Sequence, residues 1–255
     1  MCRYVSFPIW MIVVMMLGGC SADDGARRDQ EGRIISLCSK IQGTRSASDP
    51  QHGQLNTSVV SIYAYAPWNG GWSFGNANTF TVASDQSGEE GYLASDLLYG
   101  LPVATNPVAP TSEAVSMQFC HQLVRLAVTV RVNSSMTDGL EDATVAIRNI
   151  LPSTTMNLSD GTVGQAQGDA TDILIGKSVA ISAGSSATFY GIIVPQEIAA
   201  GATLLTVSSG DNVWTLSFTE ALTLIGGNSY ETTISVSSTQ FDSQLQTLTA
   251  IAPAK

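Results

Sequence analysis

The fold is decided by residues 123–132, which read Leu-Val-Arg-Leu-Ala-Val-Thr-Val-Arg-Val. Every even-numbered position in this stretch is apolar, whereas Arg125, Thr129 and Arg131 lie between the apolar residues. Successive side chains of a β-strand point to opposite faces, so a period of two is typical of a strand with one buried face. The stretch therefore predicts a half-buried β-strand and does not fit a helix.

Similar β-forming stretches, separated by Gly, Asn, Asp, Ser and Pro, follow one another along the chain. Residues 208–212, Ser-Ser-Gly-Asp-Asn, supply the Gly and Asn of a tight hairpin turn. Across that turn, we expect the apolar residues of 214–218 to alternate inward against those of 205–207. The other predicted strands are Val59–Ala66, Ala143–Ile150, Ser178–Ser182, Thr188–Val194, Leu204–Ser208, Val213–Phe218 and Tyr230–Val236.

Signals for long helices are nearly absent, so the sequence predicts an all-β protein built from β-sandwiches. The best candidate for a domain boundary is the polar break that contains Asn133-Ser134-Ser135 and Asp138-Gly139. We therefore predict an N-terminal β-sandwich domain over residues 33–134 and a C-terminal β-sandwich domain with a tail over residues 135–255.

The first twenty residues have the organisation of an export signal. Arg3 precedes an apolar run from Val5 to Met16, which is shorter than the roughly 20 residues of a membrane span. Leu-Gly-Gly-Cys at 17–20 matches a bacterial lipobox, so residues 1–19 are predicted to be a signal peptide and Cys20 to carry lipid. An ordinary signal peptide cut near a cysteine is the alternative. Residues 20–32 are polar and aperiodic, and we interpret them as a flexible tether.

Composition excludes some classes of function. The formal net charge is −10, whereas nucleic-acid binding requires clustered Lys and Arg, so no nucleic-acid partner is expected. The same negative charge does not favour adsorption of the protein to anionic lipid. We therefore expect the lipid group on Cys20 to anchor the protein to the membrane. Apart from Cys2 and Cys20, the cysteines are Cys38 and Cys120. They form either a disulfide, which an exported protein permits, or two buried thiols.

No convincing active site is present in the sequence. His52 and His121 are the two histidines, and no zinc, nucleophile-elbow or phosphate-loop motif accompanies them. We expect His121 to be a hydrogen-bonded strand residue rather than a metal ligand or a general base. The acidic residues between Asp85 and Asp96 are spaced too loosely for a calcium loop, and we interpret them as a solvated loop. The chain is predicted not to be an enzyme and to need no metal or cofactor.

An aromatic group between residues 63 and 74 suggests an alternative function. Exposed rings at Trp68 and Trp72 would stack on sugars, which would suit a monomeric carbohydrate-binding surface lipoprotein. Burial is the usual fate of aromatic side chains, so we favour packing of Tyr63 and Tyr65 on one strand face, with both tryptophans capping the adjoining loop.

Four segments agree in order and spacing with one known family. Phe119–Leu126 reads Phe-Cys-His-Gln-Leu-Val-Arg-Leu, and Tyr92–Gly100 ends in Asp-Leu-Leu-Tyr-Gly. Ile193–Ile198 contains Val-Pro-Gln, and Gly226–Tyr230 reads Gly-Gly-Asn-Ser-Tyr. Together these segments resemble the fimbrillin-like lipoproteins, which are subunits of type V pili. The resemblance implies two transthyretin-like β-sandwich domains, no enzymatic activity and a role in adhesion.

The resemblance also implies a route of assembly. A lipidated precursor reaches the outer membrane, and a trypsin-like protease cuts after an arginine near the N-terminus. The cut removes a first strand and thereby opens a hydrophobic groove. A strand of another pilus subunit fills that groove, which is a form of β-augmentation. Ile34–Ile41 fits the removable strand and Arg45 fits the cut, with Arg33 as a weaker rival. A Cys38–Cys120 disulfide would tie that strand in place, so it conflicts with processing at Arg45.

The tail departs from the family pattern. Residues 241–255 end in Ala-Pro-Ala-Lys and lack the usual aromatic closing segment. Leu245 and Leu248 are three residues apart, so the tail is expected to be a poor period-two strand. A terminal role in the pilus, as tip or anchor, is therefore an alternative to a polymerising stalk.

Overall fold

The computed structural model describes residues 36–37, 61–109, 115–238 and 249–251, and for the first and last of these ranges it defines strand pairing. One short helix, α1 (Glu89–Ala94), lies among these residues, and no described helix is long and apolar enough to span a membrane. The earlier strands are β1 (Ser36–Leu37), β2 (Ala64–Ala66), β3 (Ala77–Thr81), β4 (Leu98–Pro102), β5 (Val115–His121) and β6 (Val124–Val132).

The later part of the chain continues in strands, which confirms the predicted all-β class. They are β7 (Leu140–Ile150), β8 (Ser153–Asn157), β9 (Thr171–Ile181), β10 (Ser186–Ile193), β11 (Glu197–Ile198), β12 (Thr203–Ser209), β13 (Asn212–Ser217), β14 (Leu222–Thr223), β15 (Ser229–Val236) and β16 (Thr249–Ile251).

The described residues divide into two compact units. The small unit contains residues 36–37, 61–70, 98–109 and 115–120, and the large unit contains the rest. This division does not coincide with the predicted boundary at 134/135, because β6 pairs with β10 and β15 inside the large unit. β3 and α1 also belong to the large unit, although both precede β6 in the sequence.

The large unit is a β-sandwich. One sheet has the order β10-β6-β15-β16 and the other β13-β12-β7-β9. The two sheets face each other closely at Gly191 of β10, where an added Cβ would lie 2.6 Å from the Ile147 side chain of β7. Sheets packed face to face bury their inner side chains in a common core, and Ile147 is fully buried.

The strand pattern predicted for residues 123–132 is confirmed. Val124, Val128 and Val130 are fully buried, whereas Arg131 is exposed. The predicted hairpin is also present. Leu205 lies opposite Leu216 and Val207 opposite Trp214.

Some elements differ from the prediction. β3 and β8 form a two-stranded ribbon that the pattern did not predict, because a buried polar residue, Asn78, breaks the apolar alternation. Its side chain donates to the Met156 carbonyl at 3.2 Å. The predicted solvated acidic loop is wrong at two places, since Glu89–Ala94 is helical and Asp96 is buried.

Candidate functional site

The candidate site is the edge of the four-stranded sheet that belongs to the small unit. The strand order in this sheet is β1-β5-β4-β2, so β1 lies at one end. β1 pairs with β5 in antiparallel register, Ser36 opposite Ser116 and Leu37 opposite Val115. β5 has seven residues, and the described pairs with β1 involve Val115 and Ser116. If β1 leaves, β5 becomes the edge, with N–H and C=O groups that can pair with another strand.

An apolar cluster lies under one face of β5. Met117 and Phe119 are buried in it, and Val115 packs against it from a partly buried position. The intervening residues of β5 are more accessible, with Ser116 exposed and Gln118 half-buried. A strand added beside β5 would therefore meet an apolar surface on one face and a polar one on the other. The other buried members of the cluster are Ile62, Ala64, Ala66 and Leu98.

Gly100 explains how the Phe119 ring is accommodated. A Cβ at Gly100 would lie 2.7 Å from that ring, which is far closer than ordinary van der Waals contact. Gly100 comes from the Asp-Leu-Leu-Tyr-Gly segment and Phe119 from the Phe-Cys-His segment. Two motifs that are separate in the sequence therefore pack on each other.

The same two motifs are joined again by a polar contact. Asp96 Oδ1 lies 2.7 Å from His121 Nδ1, and the Asp96 side chain is almost completely buried. His121 is thus a hydrogen-bonded residue at the end of β5, as expected. Among the described residues, no group of three or more His, Cys, Asp or Glu side chains is placed to hold a metal ion. The sequence did not reveal the pair, because 25 residues separate its members.

Arg125, the arginine of the Phe-Cys-His motif, links elements of the large unit. Its guanidinium carbon lies 4.4 Å from the centre of the Tyr190 ring, a cation–π contact between β6 and β10. Its Nη1 donates to Ser229 Oγ of β15 at 3.3 Å. Burial raises the pKa of the Tyr92 phenol above its ordinary value of 10.0, and the adjacent positive charge of Arg125 opposes that rise. Arg125 therefore has an architectural role.

The Val-Pro-Gln and Gly-Gly-Asn segments are architectural as well. The Gln196 side chain accepts from the Leu151 N–H at 3.1 Å and donates to the Leu151 carbonyl at 3.3 Å. Gly226 lies against the backbone carbonyl of Gln122, where any Cβ would overlap that oxygen. Gly227 has a φ of +73°, a conformation that favours glycine.

The two tryptophans of the carbohydrate-binding alternative do not form one exposed surface. Trp72 is buried in the large unit, where it packs edge-on against Phe80 and donates its indole N–H to the Thr79 carbonyl at 3.1 Å. Trp68 belongs to the small unit and is 50% exposed. Burial of Tyr65 and the contact of Tyr63 with Tyr99 agree with the packing interpretation.

Cys120 forms a disulfide, and its partner lies outside the described residues, as does the predicted partner Cys38. The Cys38–Cys120 pair stays a prediction.

Three residues of the tail form β16, whereas Leu245 and Leu248, on which the prediction of a poor strand rests, lie outside the described residues. β16 pairs antiparallel with β15 and places Ala250 opposite Tyr230. It is the end strand of its sheet. The predicted lipidation site Cys20 and the predicted cleavage site Arg45, with its rival Arg33, lie outside the described residues.

The comparisons with known proteins identify the family. Residues 38–252 match the model of the fimbrillin-like family, and the chain belongs to that family. Among solved structures, a proposed cell adhesion protein of Bacteroides ovatus ATCC 8483 is 17% identical, with 82% of this chain and 72% of that chain covered and a TM-score of 0.56.

A second structure, of a proposed cell adhesion protein from Bacteroides uniformis ATCC 8492, is 22% identical, with 74% and 70% of the two chains covered and a TM-score of 0.50. At these identities the likeness concerns the fold. Comparison with curated proteins gives no significant match.

Proposed function

We propose that this chain is a structural subunit of a surface pilus that is made as a lipoprotein and assembled by strand exchange. Cys20 carries the lipid that holds the precursor at the outer membrane, and a trypsin-like protease cuts after Arg45. Once the disulfide of Cys120 is also reduced, a strand of another subunit replaces β1 beside β5. Membership of the fimbrillin-like family supports the pilus role, and the end position of β1 in its sheet carries the strand-exchange step.

The length of β5 allows an incoming strand to form several backbone hydrogen bonds. β5 has seven residues, and we expect the incoming strand to pair along all of them. Each additional bond contributes about 0.5–1.5 kcal/mol net. An incoming strand that pairs along the whole of β5 is therefore stabilised by several such bonds, provided that its side chains fit.

The apolar cluster sets the side-chain requirement. Residues directly opposite each other in an antiparallel pair place their side chains on the same face of the sheet. The incoming strand consequently needs apolar residues at the alternate positions opposite Val115, Met117 and Phe119. Burial of these apolar side chains stabilises the complex by about 25 cal/mol for each Å² of apolar surface removed from water.

This role requires no catalytic group in the chain itself, because the bond that is cut is hydrolysed by a separate protease. The two structural relatives described as proposed cell adhesion proteins support an adhesive role for the assembled pilus.

The test is a substitution at the proposed cleavage site. In cells that assemble surface pili, Arg45→Ala should abolish incorporation of this chain into high-mass species that survive in unboiled gel samples and disappear on boiling. The expected cause is retention of β1 on β5. Arg33→Ala is the matched control, since it removes a nearby arginine and should leave incorporation unchanged.

Equal incorporation of Arg45→Ala and the wild-type chain would refute cleavage at Arg45. A single band of monomer mass for the wild-type chain, in boiled and unboiled samples alike, would refute strand-exchanged assembly as a whole.

A further inference from the structure

The large unit has two end strands on one side of its sandwich, and a single segment lies against both. β10 ends one sheet and β9 ends the other. The backbone of residues 84–86 pairs with β9, since the Leu174 N–H donates to the Ser84 carbonyl at 2.8 Å and the Gln86 N–H donates to the Leu174 carbonyl at 2.7 Å.

The side chain of Gln86 completes the contact with β10. The Ile192 N–H donates to Gln86 Oε1 at 2.7 Å, and Gln86 Nε2 donates to the Ile192 carbonyl at 2.8 Å. A third bond joins Nε2 to the Ala83 carbonyl at 3.1 Å. The side-chain amide thus makes, with one residue of β10, the pair of bonds that a neighbouring strand would make.

The geometry fixes which side of β10 Gln86 occupies. The N–H and C=O of one strand residue point to the same side of the strand, and β6 already pairs with β10 on the other side. Gln86 therefore lies at the outer edge, where a further strand would add. Further along β10, Phe189 packs directly on Gly176 of β9. The two end strands are thus joined by direct packing at one level and by Gln86 at another.

Gln86 is well suited to closing an edge. Its side chain is 3% exposed and both of its amide atoms are hydrogen-bonded. Next to it, Lys177 of β9 lies 3.8 Å from Asp85, which adds charge beside the same edge. Charged residues and covering segments are the usual means by which a sheet edge is kept from pairing with another chain.

We infer that Gln86 is a specificity-determining residue, which closes the β9–β10 side of the large unit against addition of a second copy of this chain. This closure does not rest on the proposed function.

The experiment compares two glutamines in the uncleaved full-length chain. Gln86→Leu removes three side-chain hydrogen bonds and leaves the N–H and the carbonyl of Ile192 without their partners at the edge of β10. Gln196→Leu is the matched control, because Gln196 also makes three such bonds, to Leu151 and Val194, but Leu151 lies between strands rather than at a sheet edge. A second pair, Gln86→Met and Gln196→Met, serves if either leucine variant does not fold.

The measurement is sedimentation of each purified variant over a range of concentrations, with circular dichroism to verify folding. Gln86→Leu should show concentration-dependent association without protease, with an apparent mass of about twice that of the monomer for a symmetric pair. Gln196→Leu should remain monomeric.

Two results would overturn the inference. If both variants stay monomeric, Gln86 does not prevent another chain from pairing with the outer edge of β10. If both associate, the cause is lost stability rather than an uncovered edge. Either result is independent of cleavage at Arg45 and leaves the test of the proposed function intact.

Discussion

At the scale of single residues, Gly100 and Phe119 show why positions of the family motifs carry particular side chains. Gly100 is required because the Phe119 ring occupies the space where a Cβ would lie. Phe119 in turn forms part of the apolar cluster under β5. The motif residues therefore shape the surface on which an incoming strand would pack.

A substitution at Gly100 tests this packing. Gly100→Ala should lower the free energy of unfolding by about 1–3 kcal/mol, because a methyl group is forced into a filled core. Urea denaturation followed by circular dichroism measures the change. The control is Gly88→Ala, where nothing lies within 4 Å of the added Cβ. Equal stability of the Gly100→Ala variant and the wild-type chain would contradict the proposed contact.

Residue roles could be predicted from the sequence only where a local pattern carries them. The hydrogen-bonded state of His121 was expected, but its partner Asp96 was assigned to a solvated loop. Asp96 is buried because the chain folds back 25 residues later to supply His121. Gln86 carries no sequence signal for the same reason, since its partner Ile192 is 106 residues away.

At the scale of elements, the period of two predicts strands well where one face is apolar, as in β6, β12 and β13. It fails for β3, whose buried face includes Asn78. For the predicted removable strand Ile34–Ile41, the structure describes Ser36–Leu37 as the end strand beside β5. The prediction that residues 34–41 are released stays a prediction.

The disulfide of Cys120 leads to a prediction about the release of that strand. The other cysteines of the sequence are Cys2, Cys20 and Cys38, and all of them precede Arg45. In the proposed precursor Cys2 is removed with the signal peptide and Cys20 carries the lipid, so Cys38 is the remaining candidate partner, and cleavage after Arg45 then leaves the leading segment, residues 20–45, covalently attached to β5 through Cys38. Release then requires a dithiol reductant, which takes over the disulfide and leaves two protein thiols.

Gel electrophoresis with and without reductant checks this prediction. After limited trypsin digestion, the cleaved chain should run as one species on a gel without dithiothreitol. In the presence of dithiothreitol, the leading fragment should separate from the rest of the chain. Cys120→Ser should lose the fragment under both conditions. Loss of the fragment from the wild-type chain without reductant would show that the disulfide does not retain it.

At the scale of the whole molecule, the two compact units are not consecutive stretches of the sequence. The small unit takes residues from both sides of segment 71–97, which belongs to the large unit. The period of the apolar residues and the turn residues carry information about neighbouring positions only. The division of the chain between the two units depends instead on pairing between distant segments, such as that of β3 with β8. The β-sandwich class was predictable, but the assignment of strands to units was not.

The central claim is that β5 loses one strand neighbour on processing and gains another on assembly. Amide hydrogen exchange over residues 115–121 tests it most directly, in the precursor, in the cleaved and reduced chain, and in assembled material. The account predicts slow exchange in the precursor, faster exchange after release of the leading segment, and slow exchange again after assembly. Exchange at β5 that does not change on cleavage and reduction would contradict it.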